Sequence, residues 1–462
     1  MSHASVSFWY SQIPAPEPLP SLKGDIRADV CIVGAGFTGL WTAYYLKKAQ
    51  PSLRVVVLEQ RFAGFGASGR NGGWLTNSVT GGREQYLATH GREGAQAMQS
   101  AMTASVHEVV RVAEAEGIDA DIVLGGELNV ARNAAQLGRL NEWAESEAGW
   151  TDVGAELLDA AQASARIAVS NTVGGLWQPH CARIQPAKLV RGLAAVVEAL
   201  GVEVYEGTKV SDIEPRSDGR AARAVTAHGS VDADVVVRAT EGFTARMPGA
   251  HRSWVPLNSS LIVTEPLSDG QWDAIGWANR DTLGDLAHVY MYAQRTADGR
   301  IAFGGRGVPY HWGSRFDEDG TTPDVTVRSL RELLVRFFPV LGDVRVERAW
   351  SGVLGVPRDW SATVGLDRAS GLAWAGGYVG TGVTATNLAG RTLADLIVER
   401  DTAITDLPWV GHRVRNWEIE PLRFIAVNGL YKAYGFADRA EDRGSTGTSP
   451  IARLADAVSG HK

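Results

Sequence analysis

Asp29-Val30-Cys31-Ile32-Val33-Gly34-Ala35-Gly36-Phe37-Thr38-Gly39 is the stretch whose reading decides the fold. Val30 to Val33 is a short apolar run bounded by a glycine turn, the pattern of a buried parallel strand. Leu40 to Leu46 then has helical apolar spacing, and a second apolar run, Val55 to Leu58, ends at Glu59. Strand, turn, helix, strand and acid follow in the order of a dinucleotide-binding βαβ unit. Gly34 allows the tight turn, Gly36 lets backbone approach a pyrophosphate, and Gly39 lets helix and strand pack closely. The helix start offers unpaired N–H groups and partial positive charge to the phosphates. Glu59, about 20 positions beyond Gly39, is placed to accept hydrogen bonds from ribose hydroxyls.

The rest of the composition sets limits. A chain of 462 residues with 45% hydrophobic and 21% charged residues is that of a folded protein of more than one domain. Its net charge of −7, from 52 acidic against 45 basic residues, argues against broad electrostatic binding of nucleic acid. Two cysteines, Cys31 and Cys181, make no disulfide framework, and Cys31 belongs to the apolar strand. No signal peptide and no bilayer-spanning apolar run is evident, so a cytoplasmic protein is expected.

Along the chain, residues 1–24 read as an extended, Pro-rich N-terminal arm. Helices are expected over Gln85 to Glu116, Asn133 to Glu147 and Pro186 to Leu200, the last stopped by Gly201. Strand material is expected over Ile122 to Val130, Val202 to Val210, Ala224 to Ala227, Val235 to Val237 and Ser260 to Thr264. Val289 to Gln294 and Ile301 to Gly304 read as two more strands, joined by an Asp298-Gly299 hairpin turn. A second strand-glycine-helix pattern runs from Ala373 through Gly376, Gly377, Gly380 and Gly382 to Val398. The expected fold is α/β with α+β character: a Rossmann-like nucleotide-binding domain assembled from 25–85, 176–245 and 346–400, and a β-sheet-rich substrate domain with helices from 86–175 and 246–345. Residues 401–462 are expected to form a C-terminal helical cap, with a mobile tail from Gly444. A cap on the nucleotide-binding domain or on another subunit is favoured over a membrane-surface helix, because prolines and acids interrupt its basic face. No fixed-period repeat is present.

Gly64-Phe65-Gly66-Ala67-Ser68-Gly69-Arg70-Asn71-Gly72-Gly73 follows Glu59 closely. So many glycines let backbone lie flat against a ligand and present N–H groups. With this run, the βαβ fingerprint, the Ala239-Thr240-Glu241-Gly242-Phe243-Thr244 strand end and the Gly376 to Thr384 segment, the chain resembles the glycine/D-amino-acid oxidase superfamily of FAD-dependent oxidoreductases. The tail, with Trp417-Glu418, Glu420-Pro421-Leu422-Arg423 and Ala437-Asp438-Arg439, is similar to the gamma-glutamylputrescine oxidase-like branch.

The resemblance implies FAD as cofactor. Gly34, Gly36, Phe37, Thr38 and Gly39 would meet the pyrophosphate, Glu59 and Gln60 the adenosine, and Val210 the adenine edge. Ser68, Arg70, Asn71, Gly72 and Gly73 would line pyrophosphate and flavin. Thr240 would contribute from its strand end, and Gly380, Gly382, Val383 and Thr384 would close over the pyrimidine side of the ring. Some relatives attach flavin through a histidine where Asn71 stands, others through a cysteine in the region matching Ala349 to Pro357, which has none; the FAD is therefore expected to be non-covalent. Sarcosine-oxidising relatives use a lysine beside the flavin for oxygen activation. The strand Ile301 to Arg306 has none, with Arg306 the nearest cation, which implies slow or moderate use of oxygen.

The implied reaction is oxidation of the C–N bond of an amine or amino acid by hydride transfer to flavin N5, giving an imine that hydrolyses to an aldehyde or keto acid. Oxygen or another electron acceptor would reoxidise the flavin. No side-chain base is required, so none is assigned; Tyr290, Tyr292, Arg306, Arg358 and Trp74 are the candidates for substrate contact. Ordinary packing accounts equally for Tyr290, Tyr292 and Trp74, and a surface ion pair is the alternative for Arg358. His180-Cys181 has no companion cluster with ligand spacing, so no metal site is expected; His107 and His288 read as ordinary histidines. The competing readings are a nicotinamide-dependent dehydrogenase and a non-catalytic flavin-binding scaffold or sensor. A homo-oligomer is compatible with the sequence.

Overall fold

The computed structural model describes residues 3–217, 219–305 and 310–459. Its first sheet is organised around the strand Ile26–Val33, which pairs in parallel with Gly229–Arg238 on one side and Val55–Leu58 on the other. Leu372–Gly376 and Glu203–Tyr205 extend the parallel order outward, and Thr363–Asp367 closes one edge antiparallel. Alternation divides the central strand between two cores. Val30 and Ile32 pack beneath the helices Phe37–Ala49, Glu84–Ala115, Pro186–Ala199 and Gly382–Ile397, whereas Cys31 and Val33 face the small meander of Val210–Glu214 and Ala222–Thr226. Burial on both faces explains why this strand reads as an unbroken apolar run.

The second sheet has eight strands, in the order Val346–Val356, Val255–Thr264, Ile301–Gly305, Tyr292–Arg295, Thr282–Asp285, Glu127–Ala131, Gly174–Gln178 and Glu156–Asp159. One face packs on the helix Asp324–Phe337, with Leu128, Val130, Phe303, Leu330, Leu334 and Phe337 in a shared core. On the other face Leu261, Val263, Ala302 and Trp350 pack with Phe8, Trp9, Tyr10 and Phe65. The chain therefore combines a Rossmann-like α/β unit with a β-rich unit, and both sheets are assembled from separated segments.

Several expected elements occur with shifted limits. The expected helices are Glu84–Ala115, Ala134–Glu147 and Pro186–Ala199. Asn133 caps the second by accepting from the Gln136 N–H, and Pro186 opens the third. The Asp298-Gly299 turn joins Tyr292–Arg295 to Ile301–Gly305, with Gly299 at φ 74°.

Four differences have tertiary causes. The N-terminal arm is not wholly extended: Phe8–Ser11 is helical, and Phe8, Trp9 and Tyr10 are buried against the glycine-rich loop. The strand Val346–Val356 runs in the second sheet, where Val255–Thr264 pairs with it along its length, not in the first. Tyr290 precedes the strand that begins at Tyr292 and is 37% exposed, because Asp285 draws the Met291 N–H into a turn. Beyond Gly444 the chain forms another helix, Pro450–Ser459, after Thr448 accepts from Arg139. Among the described residues no helix is long and apolar enough to cross a membrane.

Candidate active site

The glycine turn builds a cradle by steric necessity. Gly34 has φ 108°, and a Cβ there would lie 2.6 Å from the Ala239 carbonyl oxygen. A Cβ on Gly39 would lie 2.0 Å from the Gly34 carbonyl oxygen, so the helix could not approach the strand. At Gly36 the Cβ would meet Ser68 Oγ at 2.9 Å, which ties the two glycine-rich segments together. Ser68 Oγ also accepts from the Phe37 N–H at 2.9 Å, and Thr38 Oγ1 lies 3.1 Å from the Tyr378 hydroxyl.

These residues open onto a cavity of about 360 Å³. Gly36, Phe37, Thr38, Glu59, Gln60, Ser68, Asn71, Val210, Thr240, Gly380, Gly382 and Val383 all line it. Gly36 as N-cap leaves the first helix without a side-chain cap, and the helix Gly382–Ile397 likewise starts uncapped, so backbone N–H groups remain for an anion. Thr384 beside that second start is fully buried, and its Oγ1 has no partner. Glu59 accepts from the Ala35 and Arg61 N–H groups, both at 2.9 Å. Burial nevertheless pushes its carboxyl up to about 6. A group of hydroxyls offered to Glu59 would favour its charged form and oppose that shift. These features fit a dinucleotide with its pyrophosphate over Gly36.

A second cavity, of about 1190 Å³, adjoins the first. Ala67, Asn71, Leu354, Gly380 and Val383 line both, and so mark the junction. Gly72, Trp74, Tyr290, Tyr292 and Arg358 line the larger cavity. Tyr292 stands between Gly72 and Gly304, where added Cβ atoms would meet its ring at 2.6 and 2.2 Å, and its hydroxyl lies 2.8 Å from Ser259 Oγ. Trp74 donates to the Ala293 carbonyl at 3.2 Å and meets Tyr292 edge-on. Arg358 is ion-paired with Glu418 at 3.0 Å. Arg70 lines the same cavity: it stacks on Phe65 and donates to the Phe65 and Ser351 carbonyls, its Nη2 has no partner, and burial lowers its pKa to about 10. Gly73 lies in the same loop at φ 72°. Arg306 lies outside the described residues.

Other parts of the site carry no signal in a linear reading. Gln294 donates to the Gly72 and Ile184 carbonyls at 2.8 and 3.0 Å and so pins the glycine-rich loop. Trp9 donates to the Asn71 carbonyl at 2.8 Å, and the Tyr10 hydroxyl to the Ala63 carbonyl at 2.7 Å. Glu241 accepts from the Gly377 and Tyr378 N–H groups, and burial raises its carboxyl to about 7. Alternation alone selects a face for Gln294, not the loop it meets.

The helix Leu422–Asp442 forms the far wall, with Leu422, Ile425, Leu430, Tyr431 and Tyr434 facing the cavity. Its end is fastened by Glu441, which takes both guanidinium arms of Arg139 at 2.9 and 2.7 Å and lies 3.1 Å from His288. His288 thus takes part in this fastening and stacks on Tyr434. His288, Asp438 and Glu441 form the one group of described residues close enough to share a metal. Arg139 already neutralises Glu441, and Asp438 accepts the His288 and Val289 N–H groups at 2.8 and 3.0 Å, so the cluster serves as an anchor. His180, considered beside Cys181 as a ligand, contacts His107 at 3.1 Å instead.

Asp285, next to this anchor, supplies a pH test. Burial pushes its carboxyl up to about 7, with Asp438 adding to the shift and the Met291 N–H and Arg132 opposing it. A raised carboxyl favours the protonated form in the fold. Its stabilising contribution is therefore complete below the unfolded value and lost as pH rises through about 7. Asp285→Asn should flatten the pH dependence of stability across that window, retaining roughly 2 kcal/mol that the parent loses. Denaturant unfolding at several pH values checks this, and parallel curves for the two proteins would refute it.

The sequence profile described as FAD dependent oxidoreductase matches residues 29–396. The chain is 32% identical over 414 residues to gamma-glutamylputrescine oxidoreductase of Escherichia coli, covering 88% of this chain and 93% of that protein. It is 25% identical over 394 residues to glycine oxidase of Geobacillus kaustophilus, covering 83% and 96%. The crystal structure of the latter superposes with a TM-score of 0.68 at 21% identity, covering 84% of this chain and 99% of that one. L-proline dehydrogenase from P. horikoshii gives a TM-score of 0.66 at 20% identity, covering 84% and 96%.

Proposed function

The chain belongs to the family of FAD-dependent oxidoreductases, and from that premise we propose that it oxidises the C–N bond of an amine whose reacting carbon bears no carboxylate. The observation that carries this reading is the junction. A nucleotide cradle opens through Asn71, Gly380 and Val383 directly into a large cavity whose adjoining wall is Leu257, Leu261, Leu354 and Val356. Gly36 and the two uncapped helix starts would hold the pyrophosphate, Glu59 the ribose, and Gly380 to Val383 the flavin ring. FAD bound there would supply the hydride acceptor for the carbon bearing the amine and a route for two electrons to oxygen or another acceptor.

The residues of the chain do the remainder. The apolar wall excludes water and disfavours the ammonium form of the reacting amine, leaving the neutral nitrogen whose lone pair becomes the second bond of the imine. Water then adds to the imine carbon, and the products are a carbonyl compound and ammonia or an amine. A carboxylate beside the reacting carbon would need an unpaired cation at that wall. Among the described residues lining the cavity, Arg358 is committed to Glu418 and Arg139 to Glu441, while Arg70 is held at the Phe65 and Ser351 carbonyls and Arg453 lies on the C-terminal helix, which supports an amine over an α-amino acid. Anaerobic mixing with panels of amines and α-amino acids tests this by the bleaching of the oxidised flavin band. Bleaching by α-amino acids alone would refute the amine reading.

The flavin should also be releasable. Asn71 is occupied inside its own loop, donating to the Ala67 and Ser68 carbonyls and accepting from the Gly73 N–H at 2.8 Å. Cys31 and Cys181 are fully buried, and burial pushes both thiols up, away from the nucleophilic thiolate. Acid precipitation should leave all the flavin in the supernatant; a fluorescent pellet would contradict a non-covalent cofactor.

A further inference from the structure

The larger cavity contains a buried carboxylate that the oxidation itself does not use. Glu127 opens the strand Glu127–Ala131, where alternation sends Leu128 and Val130 into the core behind the sheet. Glu127 and Asn129 line the cavity on the opposite face. Glu127 is 5% exposed. Its Oε2 accepts from the Thr76 hydroxyl and its Oε1 from the Asn129 amide, both at 2.8 Å. The Cys181 thiol is a third partner; a carboxylate has about four acceptor sites, so room remains for a further donor. Among the described residues none forms an ion pair with it: of the arginines that line the cavity, Arg139 and Arg358 serve Glu441 and Glu418, and Arg70 donates to the Phe65 and Ser351 carbonyls. Its neighbour Cys181 is a thiol that burial, together with the charge of Glu127, holds well above its ordinary value, so it brings no charge of its own.

Burying a carboxylate without a cation is costly unless a partner arrives. The position says which part of a substrate that partner belongs to. Tyr292 touches Gly72 of the glycine-rich loop, Trp74 meets Tyr292, and the Trp74 ring and the Asn129 amide both crowd Gly284. Glu127 follows Asn129 in this series and is thus set back from the junction by two aromatic rings. An ammonium bound there could not be the nitrogen being oxidised, which must lie at the junction in its neutral form.

We infer that Glu127 receives a second, cationic nitrogen of the substrate, remote from the reacting C–N bond, and so selects diamine-like substrates over monoamines. The inference rests on the amine-oxidising reading and adds a specificity-determining residue to it. Thr76 and Asn129 orient the carboxylate, Trp74 offers a ring face beside the approaching charge, and the apolar wall holds the intervening methylenes.

The test compares tetramethylenediamine with n-butylamine, and hexamethylenediamine with n-hexylamine, on the FAD-loaded enzyme and on Glu127→Gln and Glu127→Asp. Two quantities are read: the second-order rate of anaerobic flavin reduction, and binding to oxidised enzyme by perturbation of the flavin spectrum. The parent should prefer the diamine of each pair, and Glu127→Gln should lower that preference about 100-fold, the scale expected when a buried charge pair loses one partner. Glu127→Asp should keep part of it. A merely structural role would slow both members of a pair alike. An unchanged diamine-to-monoamine ratio in Glu127→Gln overturns the inference. If that variant loses its flavin, the parent decides alone, because equal handling of diamine and monoamine also overturns it. Diamine binding that weakens in Glu127→Gln without flavin reduction by any amine would uphold the subsite and reject the amine-oxidising reading.

Discussion

Gly36→Asp should yield a colourless protein. A Cβ at this position would already lie 2.9 Å from Ser68 Oγ, so the added side chain must turn into the cavity that Gly36 lines. There its carboxylate would stand against the pyrophosphate. Two like charges about 4 Å apart at intermediate dielectric repel by about 4 kcal/mol, which lowers affinity by about a thousandfold. Gly36→Ala introduces the steric part alone and should retain more flavin. The flavin content of purified protein, followed by FAD titration of the stripped form, provides the measurement. Stoichiometric loading of the aspartate variant would refute the placement of the pyrophosphate.

Gly304→Ala is expected to retain FAD yet slow its reduction by amine about 100-fold, the effect of an ångström-scale displacement at a reacting centre. The new methyl would fall 2.2 Å from Cε2 and Cζ of Tyr292, and the ring is already crowded by Gly72, where an added Cβ would lie 2.6 Å from Cε2. The ring therefore cannot slide away; it has to rotate out, breaking its contact with Ser259 and moving the wall next to Trp74. Tyr292→Phe removes the hydroxyl contact and leaves the ring in place, so its effect should be much smaller. Stopped-flow reduction of the two variants separates ring position from hydroxyl chemistry. Equal rates for Gly304→Ala and the parent would remove Tyr292 from the site.

Much of the nucleotide half was legible in the linear chain because its chemistry is local. A strand, a glycine at φ 108° and a helix start follow within a dozen residues, and no other residue type tolerates the Gly34 turn. The same locality made the Asn133 cap, the Pro186 helix start and the Asp298-Gly299 hairpin readable. The substrate half is different. Tyr292 and Trp74 are legible in the sequence only as aromatics on strand segments; what distinguishes them from ordinary core residues is their closeness to Gly72 and Gly304, which lie far apart in the chain and meet at the Tyr292 ring.

The sequence by itself determined the dinucleotide fold, since strand, glycine turn and helix start are backbone requirements within one contiguous stretch; the FAD-dependent family was legible only through the resemblance of four separated motifs, and the sequence profile over residues 29–396 bears it out. Tertiary structure alone decided that the N-terminal arm buttresses the glycine-rich loop through Trp9 and Tyr10, and that Arg358 is ion-paired with Glu418. It also decided that Glu127 faces a cavity whose described residues form no ion pair with it. Alternation along a strand says that two residues share a face; what occupies the space in front of that face depends on chain segments tens to hundreds of positions away, and so does the cost of leaving a charge there.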